Sequence, residues 1–172
     1  MKVLMSTILF LLSFSVCSST LKSINALGEK VQVDLTQGTN VIVFINKDCP
    51  CVKGHREYFQ DLENKYDLKF LYVHSNKKYN REIVQKYYSK KLPLSQIFMD
   101  QDLNIANFFR TLKTPHTIVF GNGQILYQGG VTNSRSPKTA SKFYLSDVLE
   151  DIKNKSKITW SQGKAIGCYI QR

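Results

Sequence analysis

Residues 41–50 read VIVFINKDCP, and this stretch decides the fold. Val41 to Ile45 is an unbroken apolar run that follows a turn at Gly38 and stops at Asn46. That is the pattern of a central strand buried on both faces of a sheet. Past it, Cys49 and Cys51 flank Pro50, and Val52, Tyr58, Phe59 and Leu62 recur at helical spacing as far as Lys65. Pro50 stands where a first-turn proline is tolerated, because the N–H it lacks would have no partner inside the helix. Asp48 is the expected cap. The unit is thus strand, loop and helix, with two thiols at the junction.

Working outward, Val31–Leu35 alternates apolar and polar residues and predicts a strand, and Leu68–Val73 predicts another. Arg81–Lys91 reads as a helix ended by Pro93, and Leu103–Phe109 as a short one. His116–Phe120 is a strand joined through Gly121, Asn122 and Gly123 to Ile125–Tyr127, a hairpin pattern. Phe143–Ile152 is a helix whose apolar face is Leu145, Val148, Leu149 and Ile152. The early strand–helix–strand units require parallel crossovers and the hairpin is antiparallel. The expected fold class is therefore α/β, a central mixed β-sheet flanked by helices.

Residues 1–19 have the layout of a secretory signal peptide: Lys2, the apolar run Ile8–Leu12, then Cys17, Ser18 and Ser19. The apolar run is well short of the roughly 20 residues of a membrane-spanning helix, and no second such run follows. Cleavage near Ser18 or Ser19 and export to the periplasm or beyond are expected. Lipid attachment at Cys17 is the lesser alternative, since Phe14, Ser15 and Val16 make a poor small-residue approach. Residues 20–172 then form one domain of ordinary size.

The chain carries 24 Lys and Arg against 13 Asp and Glu, a formal net charge of +11. These cations are scattered, as Lys47, Lys53, Lys77, Lys86, Lys113, Lys138 and Lys153 illustrate, with no Arg-rich, aromatic-interleaved block. Nucleic-acid binding therefore lacks support. Without the leader three cysteines remain: Cys49, Cys51 and Cys168. That is too few for a disulfide framework and the wrong pattern for a four-ligand zinc site.

Cys49 is the expected nucleophile, since a helix N-terminus offers unpaired N–H groups and the positive end of the dipole to a thiolate, with Lys47 and Lys53 nearby. Cys51 is the expected resolving thiol. Its Cα lies within about 7 Å of that of Cys49 whatever the backbone does. A bond between them would close a small ring around Pro50, and a strained bond exchanges readily. His55 lies four residues after Cys51 on the same helix face, so Cys49, Cys51 and His55 are an alternative ligand set for Cu(I) or zinc. His74 is expected at the end of the next strand. Cys168 is open to three readings: an additional resolving thiol, a partner for another protein, or a free thiol.

Several of these segments resemble a known family. VIVFINKDCP is similar to the strand, loop and helix start that carries the active-site cysteine of the thioredoxin superfamily, and Thr114-Pro115 followed by HTIVF resembles its cis-proline segment. LYVHSN, FMDQDLNIANFF, GNGQILYQGG and the terminal GCYI resemble the redoxin branch, which includes alkyl hydroperoxide reductase and thiol-specific antioxidant proteins. The resemblance runs from about Leu21 to the C-terminus. It implies a thioredoxin-like fold, a cis bond before Pro115, and a Thr114 backbone that positions a cysteine-bearing substrate. Protein thiols or disulfides, a small thiol or a peroxide are the implied substrates, and no cofactor is needed. Two departures narrow the activity. Where a peroxiredoxin has proline and threonine before its reactive cysteine, this chain has Ile42 and Asn46. Where thioredoxin has two residues between its cysteines, this chain has only Pro50. The expectation is a thiol-disulfide oxidoreductase, with a copper or zinc relay protein and a thiol peroxidase as alternatives.

Overall fold

The computed structural model describes residues 20–172. The leader expected over residues 1–19 and its Cys17 alternative lie outside the described residues. Fourteen elements follow in order: β1 (Thr20–Asn25), β2 (Lys30–Asp34), β3 (Thr39–Ile45), α1 (Pro50–Tyr66), β4 (Phe70–Ser75), α2 (Arg81–Tyr88), β5 (Ile97–Asp100), α3 (Asn104–Phe108), β6 (Lys113–Thr114), β7 (His116–Gly121), β8 (Gln124–Gly129), α4 (Tyr144–Lys153), β9 (Gln162–Gly163) and β10 (Cys168–Tyr169). Among the described residues no helix is long and apolar enough to cross a membrane.

Eight strands form one mixed sheet in the order β2-β1-β5-β4-β3-β7-β8-β9. β3 sits at its centre, parallel to β4 and antiparallel to β7. Its apolar run has no polar interruption because both faces are covered. Val41, Val43 and Ile45 pack with Val52, Phe59 and Leu62 of α1, Val84 and Tyr88 of α2, and Leu145, Val148 and Leu149 of α4. Ile42 and Phe44 face the other way, into a second cluster with Ile105 and Ala106 of α3, Phe109 and Phe120. The α/β sandwich expected from the sequence is the one observed.

The predicted hairpin forms with Gly121 opposite Gln124, so Asn122 and Gly123 alone make the turn. Both have positive φ, 48° and 81°, as a type I′ turn requires. Several elements differ from the expected pattern. α2 stops at Tyr88, three residues before Lys91, where the chain tightens into turns back onto the Tyr88 carbonyl. β1 and β5 were not expected at all, since β1 breaks simple alternation by exposing Lys22 and Ile24 while burying Asn25, and β5 is only four residues long. What secures β5 is its last residue: the buried Asp100 carboxylate accepts the Ser75 hydroxyl at 2.6 Å and the N–H groups of Ile105 and Ala106 at 2.9 Å each, tying β4, β5 and α3 together.

The sheet also takes up two imidazoles, His74 buried and His116 half-buried. His74 on β4 lies opposite Ile45 and Met99, and His116 on β7 opposite Phe44. Burial pushes both down to about 4. The unfolded chain, whose histidines titrate near 6.5, therefore takes up protons first as pH falls. The stability these groups contribute is full above about pH 6.5 and is lost towards pH 4, at up to about 2.7 kcal/mol per pH unit for the two together. Denaturant melts between pH 7 and 4 should show this slope, and His74→Gln with His116→Gln should flatten it. An unchanged slope in the double variant would assign the acid sensitivity to other groups, among them His55, which burial also lowers.

Candidate active site at the start of α1

The loop between β3 and α1 is built by Asn46, which is buried. Its side-chain oxygen accepts from the Asp48 N–H at 3.1 Å and its carbonyl from the Cys49 N–H at 3.1 Å. This folds the chain back so that Cys49 becomes the residue before the first helical turn. Pro50 occupies the first helical position, as expected. Asp48 does not cap the helix. Cys49 holds that position with no side-chain cap bond, and the Asp48 carboxylate turns away to the Lys47 ammonium at 2.7 Å and the Tyr79 hydroxyl.

The Cys49 thiol donates to the Thr114 carbonyl at 3.0 Å. Thr114 precedes Pro115 through a cis bond, as the resemblance implied. On Thr114's other side lies β10, antiparallel to β6, with Cys168 opposite Thr114 and Tyr169 opposite Lys113. The carbonyl that receives Cys49 thus belongs to the residue paired with Cys168. The contact is close because residue 167 is glycine: a Cβ there would stand 1.9 Å from the Thr114 carbonyl oxygen. Ile170 then anchors the segment, donating its N–H to Leu112 at 2.9 Å and burying its side chain in the second core cluster.

All three cysteines are free thiols. Burial pushes the Cys49 thiol up, but hydrogen bonds from the Cys168 thiol and the Val52 N–H outweigh it and leave Cys49 below the ordinary thiol value. Cys168 moves the opposite way. Burial, its hydrogen bond to Cys49 and the Cys49 charge push it up to about 12. Cys51 is also raised, by burial and then by the charge and hydrogen bond of Cys49, with Arg135 opposing. Of the three thiols Cys49 is thus the one whose ionisation is favoured, an arrangement that suits a single nucleophile. The Cys49 sulfur is covered: Cys49 is 1% exposed and Cys51 5%, whereas Cys168 is half-buried.

The copper or zinc set gains no support from the geometry. His55 is buried, with Nδ1 against the Cys51 carbonyl at 2.9 Å and Nε2 against the Thr132 hydroxyl at 3.0 Å. Both ring nitrogens are engaged, so Cys49, Cys51 and His55 do not converge. Among the described residues no group of three or more His, Cys, Asp or Glu is placed to hold a metal ion. His74 lies one residue before the end of β4, and its Nε2 accepts from the Lys47 N–H at 3.5 Å beneath the thiol loop. Asn46, Gly167, Lys113 and Arg135 belong to the site and carry no motif that announces them; only the Gly-Cys pair of the terminal GCYI hints at a close approach.

This fold is shared with solved structures at low identity. An uncharacterized conserved protein from Geobacillus kaustophilus superposes with a TM-score of 0.76 at 22% identity, over 90% of this chain and 89% of that one. A hypothetical protein from Sinorhizobium meliloti gives 0.71 at 18%, over 89% and 91%. A secreted Mycobacterium tuberculosis disulfide oxidoreductase homologous to E. coli DsbE gives 0.52 at 14%, over 61% and 79%. The architecture is thioredoxin-like. No curated protein matches the sequence. The family model described as a domain of unknown function, DUF6436, matches residues 19–172, and the chain belongs to that family.

Proposed function

We propose that this protein is an exported thiol-disulfide oxidoreductase in which Cys49 is the exchanging thiolate and Cys168 its partner thiol. The observation that carries this reading is the pairing of Cys168 with Thr114, the residue whose carbonyl receives the Cys49 thiol. The Cys49 thiol and the Cys168 backbone, far apart in the chain, thus share Thr114 as a neighbour, and Cys49 is the thiol whose ionisation is favoured. The Cys49 thiolate attacks a substrate disulfide and expels one thiolate. Cys168 then loses its proton and attacks the Cys49 sulfur, expelling the second. The substrate gains two electrons and two protons, and the chain is left with a Cys49–Cys168 disulfide. Thr114 and Pro115 position the strand that brings the two thiols together.

Spacing alone gave the resolving role to Cys51. Its bond to Cys49 would close a small ring around Pro50, whereas Cys168 approaches from a separate strand with no such constraint. The likeness to a secreted disulfide oxidoreductase supports both the reaction class and the export reading. Thiol peroxidase activity has less support: Ile42 is packed in the core and the Asn46 side chain is spent on building the loop.

Peptide mapping tests the assignment. The reduced protein is oxidised with oxidised glutathione, free thiols are alkylated, and cross-linked peptides are identified by mass spectrometry. A Cys49–Cys168 cross-link with Cys51 alkylated is expected. A predominant Cys49–Cys51 bond would return the resolving role to Cys51, and absence of any exchange would remove the oxidoreductase reading.

A further inference from the structure

The thiol cluster is flanked by two cationic side chains that the exchange chemistry itself does not use. A cleft of about 340 Å³ opens beside it, lined by Pro50, Cys51, Lys113, Arg135, Ile166 and Cys168 among others, with no acidic residue. Lys113 lies on β6, one residue before Thr114, with its ammonium 4.8 Å from the centre of the Tyr169 ring. Arg135 reaches the cleft from the long connection between β8 and α4, and its charge favours the ionised forms of both Cys51 and Cys168. Neither cation takes part in an ion pair among the described residues. The other side of the site differs. There Lys47 is neutralised by Asp48 at 2.7 Å. Unpaired positive charge therefore lines the face where Cys51 and Cys168 border the cleft, beside the buried Cys49.

We infer that this cleft selects anionic substrates, namely disulfides and thiols that carry a carboxylate within a few bonds of the reacting sulfur. The inference rests on the exchange activity proposed above and adds its substrate class. A carboxylate seated between the Lys113 ammonium and the Arg135 guanidinium meets two donors of opposite charge, and the guanidinium presents the planar fork that binds a carboxylate through two hydrogen bonds. The same chemistry is offered by a small thiol acid and by a protein cysteine flanked by acidic residues.

Three disulfides of matched length separate charge from sulfur reactivity: dithiodipropionate, bis(2-hydroxyethyl) disulfide and cystamine, a dianion, a neutral molecule and a dication. Exchange with the reduced protein is followed by stopped flow at low salt. The dianion is expected to react about tenfold or more faster than the dication. That ratio should fall several-fold in Arg135→Gln and in Lys113→Gln, and should shrink in 0.5 M salt, where screening acts over only a few ångströms. A flat charge series would overturn this inference alone. A ratio unchanged in both variants would also overturn it, because the preference would then come from the net charge of the whole chain. No reaction with any of the three would remove the exchange activity and this inference with it. To distinguish the two sources, peptides with Asp or Ala beside a disulfide-bonded cysteine are compared with the small acid: a preference for Asp marks a protein substrate, and saturation by the small acid alone marks a small thiol.

Discussion

Cys49→Ser lowers the rate of disulfide exchange by about a thousandfold or more, because it removes the nucleophile. The fold should be little affected. A serine hydroxyl can donate to the Thr114 carbonyl as the thiol does, so the cost in stability is expected to stay within about 1 kcal/mol. The pH profile adds a second readout. Cys49 ionises below the ordinary thiol range, and the largest contribution in that direction is the hydrogen bond from Cys168. The rate of the unaltered protein should therefore rise with pH to a midpoint below that of a free cysteine, and in Cys168→Ala that midpoint should move up. Iodoacetamide alkylation followed by mass spectrometry, from pH 5 to 10, measures both midpoints. Retained exchange in Cys49→Ser would transfer the nucleophilic role to another thiol.

Gly167→Val is expected to have the second-largest effect, although the residue carries no chemistry. A Cβ at this position meets the carbonyl oxygen and carbon of Thr114 at 1.9 and 2.7 Å, and both are backbone atoms that cannot swing aside. β10 pairs only with β6, outside the eight-stranded sheet, so it can detach while the rest of the domain persists. The loss is then the burial of Ile170, about 2 kcal/mol, together with the contacts of Arg172 to Asn107 and Thr111. The expected outcome is normal circular dichroism and a first exchange step that survives. Closure of the Cys49–Cys168 disulfide should slow by about a hundredfold or more as Cys168 loses its held position, so mixed disulfides on Cys49 accumulate. A variant that still closes the bond at the original rate would show that the β6–β10 pairing does not govern resolution.

The parts of this molecule that can be read from sequence are those whose local pattern and tertiary role coincide. β3 is apolar throughout because both faces are covered, α1 repeats apolar residues at helical spacing, and Asn122-Gly123 supplies the two positive φ values of its turn. Cys49 at the head of α1 follows from Pro50 at the first helical position. The third thiol does not follow in this way. β10 is two residues long and too short for any periodicity, and its place is set by the close approach of Gly167 to Thr114, a contact between residues far apart in the chain. His55 illustrates the same divide. Helical spacing correctly puts it beside Cys51, but its ring engages the Cys51 carbonyl and reaches Thr132, so backbone proximity did not become shared coordination. Asp48 had the composition of a cap, yet Lys47 and Tyr79 compete for its carboxylate and win.

The late position of Cys168 has a consequence for how the protein comes into being. Translation delivers Cys49 and Cys51 with β3 and α1, whereas Gly167 and Cys168 arrive only after the hairpin and α4 have been made. Until then a growing chain holds two thiols at an uncovered helix start, without the strand that later lies over them. Any encounter with an oxidant or another cysteine during this interval meets a site that lacks its eventual partner. The arrival of β10 is therefore the step that gives the site its third thiol and its cover.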